Sequence, residues 1–428
     1  MSISIEDAKS FIQSAYPITY PVIFERAKGI EMWDVEGRKY LDFLAGIGVM
    51  NYGHSHPKIV KAVQEQIEKL SHVSMLYYNV PAILLARKLA EIAPGDLRKT
   101  YYANSGTEAV ESAIKLAKKY SVKVKGGTGS YIIAFDCAFH GRGGLTLTLT
   151  ASHKYKKLMG HFANYPGVVH LPTPYCYRFP GDVETCKQYT LEKVDEYIKY
   201  RLGPENTAAV IVEPVMGEGG IIVPPDGWLK ELERICRENG VLLIVDEVQS
   251  GFGRTGKIFG HEWENVRADI MTMAKALGAG LPLAGIMATG DVDKAWEPGD
   301  HNVTFSGNPV ACAAALAGIE VLLEERLHEN ALKVGNFIMG KLRDASLKPV
   351  GEVRGRGLFI GIEIVKEGKK PDPDATKRIG NEMFKRGYII GTGGIFGNVV
   401  RIEPPLIVTM EQADKMTDDL IDVIKRLQ

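Results

Sequence analysis

Residues 241–257 read VLLIVDEVQSGFGRTGK and join an apolar run to a glycine-rich segment. The run of five apolar residues ends at Asp246, which is typical of a strand that is covered on both faces. Similar short runs recur between about residues 60 and 310, and segments with helical periodicity separate them. This alternation predicts an α/β fold, with a mostly parallel sheet flanked by helices.

The predicted strands and helices are short and follow one another in alternation. The predicted strands are residues 131–135, 208–212, 241–246, 270–272 and 283–288, and the predicted helices are 107–120, 191–200 and 228–238. From about Asn308 the pattern changes to a long helix, 309–325, followed by segments 358–365, 375–385 and 398–402. A last helix opens with a capping box at Thr409 and Gln412. This second region indicates a smaller α+β unit.

The glycines of the opening stretch match two nucleotide-binding patterns in letters only. GFGRTG fits G-x-G-x-x-G, but the five residues 246–250 separate it from the apolar run and no helical pattern follows it. The P-loop pattern fails at Ile258, because that position requires a Ser or Thr hydroxyl to bind Mg²⁺. We therefore interpret the glycines as a flexible connection. A nucleotide-dependent oxidoreductase remains an alternative that rests on this motif alone.

Composition narrows the class of protein. The 428 residues contain 52 Lys and Arg against 52 Asp and Glu, so no net charge favours binding to nucleic acid. No apolar run reaches the ~18 residues of a membrane span, and the first residues lack the pattern of a signal peptide. The 5 dispersed cysteines predict a reduced, cytoplasmic protein without a disulfide framework or zinc site. The pair His54 and His56 has no third ligand at a suggestive spacing, so we expect no bound metal.

Three features of the sequence fit one cofactor, pyridoxal 5'-phosphate. Residues 104–108, NSGTE, predict a helix N-terminus whose free N–H groups and hydroxyls suit a phosphate. Asp246 at a strand end can keep the pyridine nitrogen protonated, and Gln249 can reach the ring oxygen. Lys275 follows another apolar strand, where desolvation lowers the pKa of an amine that must form a Schiff base. Each feature alone has an ordinary structural explanation, whereas their combination favours the cofactor.

Two further loops follow predicted strands and carry polar groups. AFHGR places Phe139 beside His140, where an aromatic face can stack on a flat ring. EPVMGEGG places the carboxylates of Glu213 and Glu218 at the carboxyl end of a strand, where open α/β sheets bind ligands. Both loops are therefore candidates for the same site.

At this point the sequence resembles a known family along essentially its whole length, the class III (omega) aminotransferases. It is most similar to the branch that contains 4-aminobutyrate aminotransferase. The resemblance rests on YLDFLAGIGVMNYGHSHP, NSGTEAVESAIKLA, AFHGR, EPVMGEGG, DEVQSGFGRTG, MAKALGAGLPLAG and TFSGNPVACAAA. It implies the fold-type I architecture of pyridoxal-phosphate enzymes, with a large domain built on a seven-stranded-type sheet and a smaller α+β domain from both termini. The expected boundaries are 1–60 and 310–428 for the small domain and 61–309 for the large one.

The resemblance also assigns roles to individual residues. Gly106 and Thr107 would hold the phosphate, Phe139 would stack on the ring, and Lys275 would be the Schiff-base lysine. Thr304 resembles the threonine that reaches the phosphate of a neighbouring subunit, which implies a dimer or larger assembly with sites at the interface. The expected cofactor-binding residues are Ser105, Gly106, Thr107, Phe139, His140, Glu213, Asp246, Gln249, Lys275 and Thr304.

Four positions resemble substrate-binding residues of the family. Arg401 in NVVRIEPP matches the arginine that binds an α-carboxylate, and Glu218 matches the acid that pairs with it when the donor has none there. Arg142 matches the residue that holds a distal carboxylate, and Ile47 matches an apolar position of that pocket. Two arginines suit ligands charged at both ends, such as 2-oxoglutarate and 4-aminobutyrate.

The expected activity is transfer of an ω-amino group to a 2-oxo acid in a ping-pong reaction. Lys275 would act as general base and acid, and Asp246 would keep the ring nitrogen protonated. Alternatives within the family are an amino-acid racemase, an ornithine- or acetylornithine-type aminotransferase and a semialdehyde aminomutase. A non-catalytic cofactor-binding protein is disfavoured, because Lys275, Arg142 and Arg401 are all present.

Overall fold

A computed structural model of the chain describes residues 3–426. The strands are β1 (Phe24–Lys28), β2 (Glu31–Asp34), β3 (Lys39–Asp42), β4 (Leu97–Ala103), β5 (Tyr131–Phe135), β6 (Val168–Leu171), β7 (Thr207–Val212), β8 (Leu242–Asp246), β9 (Ile270–Met273), β10 (Ala284–Thr289), β11 (Val350–Arg356), β12 (Phe359–Ile364), β13 (Tyr388–Ile389), β14 (Gly391–Gly393) and β15 (Val399–Ile402). The helices are α1 (Ile5–Phe11), α2 (Ala45–Gly48), α3 (Pro57–Lys69), α4 (Val80–Ile92), α5 (Gly106–Lys123), α6 (Gly144–Leu149), α7 (His153–Lys156), α8 (Val183–Glu196), α9 (Trp228–Glu238), α10 (Gly290–Asp293), α11 (Pro309–Glu324), α12 (Leu327–Asp344), α13 (Pro373–Lys385) and α14 (Met410–Lys425). Among these residues no helix has the length and apolar character needed to cross a membrane.

The central sheet has seven strands in the order β4-β10-β9-β8-β7-β5-β6. Strands β5 to β9 run parallel, and only β10 is antiparallel to its neighbours β4 and β9. The predicted mostly parallel sheet is therefore confirmed. The five strands predicted from apolar runs have boundaries within 1 residue of those observed.

Side chains of the central strands enter two separate cores. On β8, Leu243 and Val245 join the core that contains Trp228 of α9, whereas Leu242 and Ile244 join the core that contains α5. Successive side chains of a strand point to opposite faces, so an unbroken apolar run fills both cores at once. This explains why the sheet strands show no alternation of polar and apolar residues.

Two smaller sheets complete the fold, and the first joins distant parts of the chain. Its order is β1-β2-β3-β13, and β13 pairs in parallel with β3. The second is antiparallel, in the order β11-β12-β15-β14, and helices α12, α13 and α14 pack near it. The smaller α+β unit is therefore built from both termini, as expected. The boundaries at residues 60 and 310 stay a prediction.

Two local predictions differ from the structure. The helix expected at 191–200 begins at Val183, because Asp182 accepts a hydrogen bond from the backbone of Thr185 (2.7 Å), and its last turn is π-helical. Only half of the capping box at Ser105 forms. Ser105 accepts from the N–H of Glu108 (3.2 Å), while the Glu108 carboxylate accepts from Asn104 (2.7 Å).

The glycine-rich segment 251–256 is not a flexible connection, which corrects the interpretation of the opening stretch. All six of its residues are buried. Arg254 donates hydrogen bonds to the carbonyls of Leu358 (3.0 Å) and Pro404 (2.6 Å) and to the side chain of Asn51 (2.5 Å). The glycines allow tight turns at positive φ, 89° at Gly253 and 91° at Gly256, and Arg254 ties the central sheet to the smaller unit.

The two glycines of α12 allow a matched test of how this helix packs. A Cβ at Gly335 would lie 1.8 Å from the carbonyl oxygen of Gly357, whereas a Cβ at Gly340 would meet nothing within 4 Å. We expect Gly340→Ala to raise the free energy of unfolding by about 0.5–1 kcal/mol, because alanine favours the helix. We expect Gly335→Ala to lower it by about 1–3 kcal/mol through overpacking. Urea denaturation measures both, and a stabilised Gly335→Ala would contradict this packing.

Candidate active site

The predicted site residues gather at one edge of the central sheet. They follow the carboxyl ends of β4, β5, β7, β8 and β9, which all point the same way, and this edge is where open α/β sheets bind ligands. A cavity of about 540 Å³ opens there. Its lining includes Ser105, Gly106, Thr107, Phe139, His140, Arg142, Glu213, Asp246, Gln249 and Lys275.

The N-terminus of α5 forms one end of the cavity. Ser105 is the N-cap, and the 18-residue helix directs its first N–H groups and its positive dipole end at the cavity. A Cβ at Gly106 would lie 3.2 Å from Val248, so a side chain here would crowd the wall. Backbone donors, the Thr107 hydroxyl and this close approach suit a phosphate.

Asp246 lies buried on the cavity floor and is held by three hydrogen bonds. One oxygen accepts from the Thr272 hydroxyl (2.8 Å) and from the N–H of Val248 (3.1 Å), and the other meets His140 Nδ1 at 2.7 Å. His140 is also buried, and its Nε2 has no partner among the described residues. These contacts fix the position of the carboxylate, as a group that pairs with a pyridine nitrogen requires.

Glu213 joins two loops of the site. Its carboxylate oxygens accept from the backbone N–H groups of Phe139 and Gly217, both at 2.9 Å. Burial, with the nearby charge of Asp246 adding to it, raises the pKa of Glu213 to about 7, although His140 and the two N–H donors oppose this shift. The geometry favours a role in positioning Phe139 and the 217–220 loop, in addition to lining the cavity.

Lys275 follows β9 and the linking residue Ala274, and it faces the same cavity. Burial lowers the pKa of its amine below the ordinary value, against the opposing charges of Glu218 and Glu403. Its backbone is left-handed, with φ of 48°. A residue other than glycine in this region is strained, and such strain concentrates at functional sites. A lysine with a lowered pKa is the nucleophilic amine that the sequence predicted.

Arg401, on β15, lies between two carboxylates. Nη1 donates to Glu218 (2.5 Å) and Nε donates to Glu403 (2.7 Å), while the buried Nη2 has no partner in the described part of the chain, residues 3–426. Burial alone would raise the pKa of Glu218, but the Arg401 guanidinium outweighs it and lowers this pKa to about 2. The unpartnered Nη2 is a donor that a ligand carboxylate can use.

Sequence reasoning missed Glu403, which is fully buried. One oxygen of Glu403 accepts a hydrogen bond from Arg401 Nε (2.7 Å), and the other accepts one from Gln249 Nε2 (2.8 Å). The available signal was its position two residues after Arg401 in RIEPP, because alternate residues of an extended segment share a face. Gln249 is thus linked to Arg401 through a single carboxylate.

Arg142 lies at the mouth of the cavity and is exposed. Its guanidinium stacks 4.2 Å from the ring centre of Tyr155, whose hydroxyl donates to Glu218 (3.2 Å). Among residues 3–426 no carboxylate pairs with Arg142. The sequence did not identify Tyr155, which connects the two expected substrate contacts.

Four expected site residues are not part of the cavity lining: Glu218 and Arg401, which pair with each other, and Ile47 and Thr304. Ile47 has φ of 66° and is 48% exposed, and Val49 lines the cavity in its place. Thr304 is exposed in the segment before α11. A threonine that reaches the phosphate of another subunit must be exposed in a single chain, so its predicted role stays a prediction, as does that of Ile47.

The residues present fit pyridoxal 5'-phosphate. The helix N-terminus suits the phosphate, the buried carboxyl group of Asp246 suits the ring nitrogen, and Lys275 suits the aldehyde. The crowded wall at Gly106 and the buried Nε2 of His140, which has no protein partner, are independent signs of a site shaped for a polar ligand.

Comparisons with known proteins agree with this geometry. The sequence profile of the family described as Aminotransferase class-III matches residues 13–424. Acetylornithine aminotransferase of Methanopyrus kandleri is 42% identical, over 98% of this chain and 99% of that protein. Alanine/serine racemase of Pyrococcus horikoshii is 38% identical over 95% and 86%. Probable 4-aminobutyrate aminotransferase of Bacillus subtilis is 37% identical over 90% and 88%.

A solved structure shares the whole fold. The thermostable (S)-enantioselective omega-transaminase of Thermomicrobium roseum superposes with a TM-score of 0.92, at 33% identity and with 100% of both chains covered. The cavity contains Lys275, Asp246 and the N-terminus of α5, which suit the cofactor. The similarities to these proteins extend over essentially the whole chain. The chain belongs to the class III aminotransferases and is a transaminase that depends on pyridoxal 5'-phosphate.

Proposed function

We propose that the enzyme moves an ω-amino group from 4-aminobutyrate-like donors to a 2-oxo acid such as 2-oxoglutarate. The reaction would proceed in two half-reactions, with the oxo product of the donor leaving before the acceptor binds. The observation that carries this proposal is the ion pair of Arg401 with Glu218, connected through Tyr155 to Arg142, which pairs with no carboxylate among residues 3–426. Together they suit one ligand without an α-carboxylate and another with carboxylates at both ends.

The Glu218–Arg401 pair supplies a way to accept both ligands. An ω-amino donor brings no carboxylate to Arg401, and the Nη1 of this buried cation then keeps Glu218 as its partner, beside the contact of Nε with Glu403. A 2-oxo acid brings its own carboxylate, which can take the place of Glu218. The Glu218 side chain is 18% exposed, so it can move aside towards solvent.

Arg142 supports the second contact of the same ligands. A guanidinium over the Tyr155 ring is held in place without being neutralised, and it can meet a carboxylate with two hydrogen bonds. Both 4-aminobutyrate and 2-oxoglutarate carry a distal carboxylate. One arginine can therefore serve the donor and the acceptor.

Proton transfer falls to Lys275 in this proposal. Bound pyridoxal 5'-phosphate supplies an aldehyde that condenses with amines and a ring that withdraws electrons from the reacting carbon. The Lys275 amine, with a pKa lowered by burial, takes a proton from the substrate carbon and returns it nearby. Asp246, held in place by Thr272 and His140, would hold a proton at the ring nitrogen.

A second candidate is an ornithine- or acetylornithine-type aminotransferase. The likeness to an acetylornithine aminotransferase over nearly the full length favours it. Such donors also present an ω-amino group, but they carry an α-carboxylate and a second nitrogen at the far end. Arg142 would then bind the α-carboxylate of such a donor.

A panel of amino donors with 2-oxoglutarate as acceptor tests the proposal. We expect 4-aminobutyrate to give the highest kcat/KM, and a preference for N-acetylornithine or ornithine would favour the second candidate. Interconversion of D- and L-amino acids without consumption of the 2-oxo acid would instead identify a racemase.

Lys275→Ala should abolish turnover and the yellow colour of the enzyme, and an active, yellow variant would contradict the role of Lys275.

Arg142→Met provides a separate test of the distal contact. We expect the KM for 2-oxoglutarate to rise about tenfold, because an exposed charged pair of this kind contributes about 1.4 kcal/mol. Pyruvate has no distal carboxylate, so its KM should change little and serves as the internal control. Equal increases for both acceptors would place Arg142 outside the substrate site.

We also infer a dimer with its active sites at the interface. The exposed Thr304 lies beside Phe305, which is 60% exposed, and the 76–78 segment carries Tyr77 at 69% and Tyr78 at 86%. Large exposed apolar groups on one chain are typical of a surface covered by a partner. Sedimentation equilibrium should give twice the mass of the chain or more. A monomer at micromolar concentration that retains full activity would contradict the shared site.

A further inference from the structure

We propose that Glu403 determines substrate specificity by reducing the charge that Arg401 presents to ligands. The inference rests on the proposed function, in which Arg401 receives the carboxylate of a 2-oxo acid. Glu403 would weaken that contact for every carboxylate ligand. It would thereby shift the preference of the enzyme towards donors that have no carboxylate at this end.

Glu403 is fixed in place by the fold. It follows the last residue of β15, and its backbone N–H donates to the carbonyl of Phe43 (2.8 Å). The side chain is 0% exposed, and each of its oxygens has one partner, Arg401 or Gln249. A carboxylate of this kind cannot turn towards water when a ligand binds.

Glu218 differs from Glu403 in each of these respects. It lies on the 217–220 loop, its side chain is 18% exposed, and its second oxygen accepts a long hydrogen bond from the Tyr155 hydroxyl (3.2 Å). A ligand carboxylate can therefore displace Glu218 but not Glu403. Only Glu403 accompanies Arg401 through both half-reactions.

The charges around Arg401 explain the effect on binding. One guanidinium faces two carboxylates while Glu218 is in place, so the cluster is net negative and favours an amine cation over a carboxylate. After Glu218 moves, Arg401 and Glu403 remain as a neutral pair. Nη1 and Nη2 can still donate hydrogen bonds, but the attraction to a carboxylate is weaker than for an unpaired guanidinium.

Arg142 illustrates the opposite arrangement within the proposed substrate site. It lies over an aromatic ring and pairs with no carboxylate among residues 3–426, so its charge remains available to a ligand. The two arginines are therefore unequal. The charge of Arg142 attracts carboxylates, whereas the charge of Arg401 is offset by Glu403 and attracts them only weakly.

Glu403→Gln tests the proposal by removing the charge and retaining the size. Glutarate, which has two carboxylates and no reactive group, is the probe, and isothermal titration calorimetry of the purified holoenzyme measures its Kd. We expect this Kd and the KM for 2-oxoglutarate to fall about tenfold, as one added charge interaction of about 1.4 kcal/mol implies. The KM for 4-aminobutyrate should stay the same or rise. An unchanged or higher Kd for glutarate would overturn the proposal.

Glu363→Gln is the matched control. Glu363 is equally buried and also pairs with an arginine, Arg354, but it does not contact Arg401 or Gln249. We expect it to lower the melting temperature without changing the ratio of the two KM values. A general structural effect would change both variants alike, whereas a specific effect appears only at Glu403.

Further outcomes separate the two hypotheses. Wild-type enzyme that transfers no amino group from any donor would overturn the proposed function, whatever glutarate does. Normal transfer with no change of glutarate affinity in the variant would overturn the role of Glu403 alone. Glu403→Ser, which leaves space for water beside Arg401 Nε, repeats the test if the glutamine variant does not fold. Failure of both variants to fold would make Glu403 purely structural and would also overturn the proposal.

Discussion

The hydrogen bond between His140 and Asp246 joins the ends of two strands of the central sheet, and the active site is arranged around it. A buried carboxylate is stable only when donors surround it, and here the donors come from the segment after β5, from β9 and from the turn after β8. The same contact therefore orients an acid for the cofactor ring and fixes the spacing of the loops. Glu213 extends this arrangement by joining the Phe139 loop to the 217–220 loop.

The smaller unit contributes the other half of the site. Arg401 and Glu403 lie at the end of β15, and they meet Glu218 and Gln249 from the larger sheet. Arg254, in the segment after β8, supports this junction. Its guanidinium donates hydrogen bonds to the carbonyl of Leu358, just before β12, and to the carbonyl of Pro404, just after Glu403. Hydrogen bonds from a buried charged side chain fix the relative orientation of the two parts more strictly than apolar contacts do.

The unequal arginines connect this architecture to the choice of substrate. The two arginines of the proposed substrate site differ because one is stacked on a ring and the other lies between carboxylates. An aromatic ring fixes the position of a guanidinium and leaves its charge available to a ligand. A carboxylate also fixes its position, but it neutralises the charge. Small differences in partners can in this way separate enzymes that share a fold, a cofactor and a catalytic lysine.

The sequence alone determined the sheet strands, the expected cofactor and the residues at the strand ends. Unbroken apolar runs such as 242–245 have no stable position except between two layers, and a lysine or an aspartate at their ends is conspicuous for that reason. Only the tertiary structure decided that Glu403 belongs to the site, that segment 251–256 is buried and that Ile47 lies outside the cavity lining. These facts depend on contacts between residues more than 100 positions apart or on backbone turns at positive φ. Local periodicity contains no information about either.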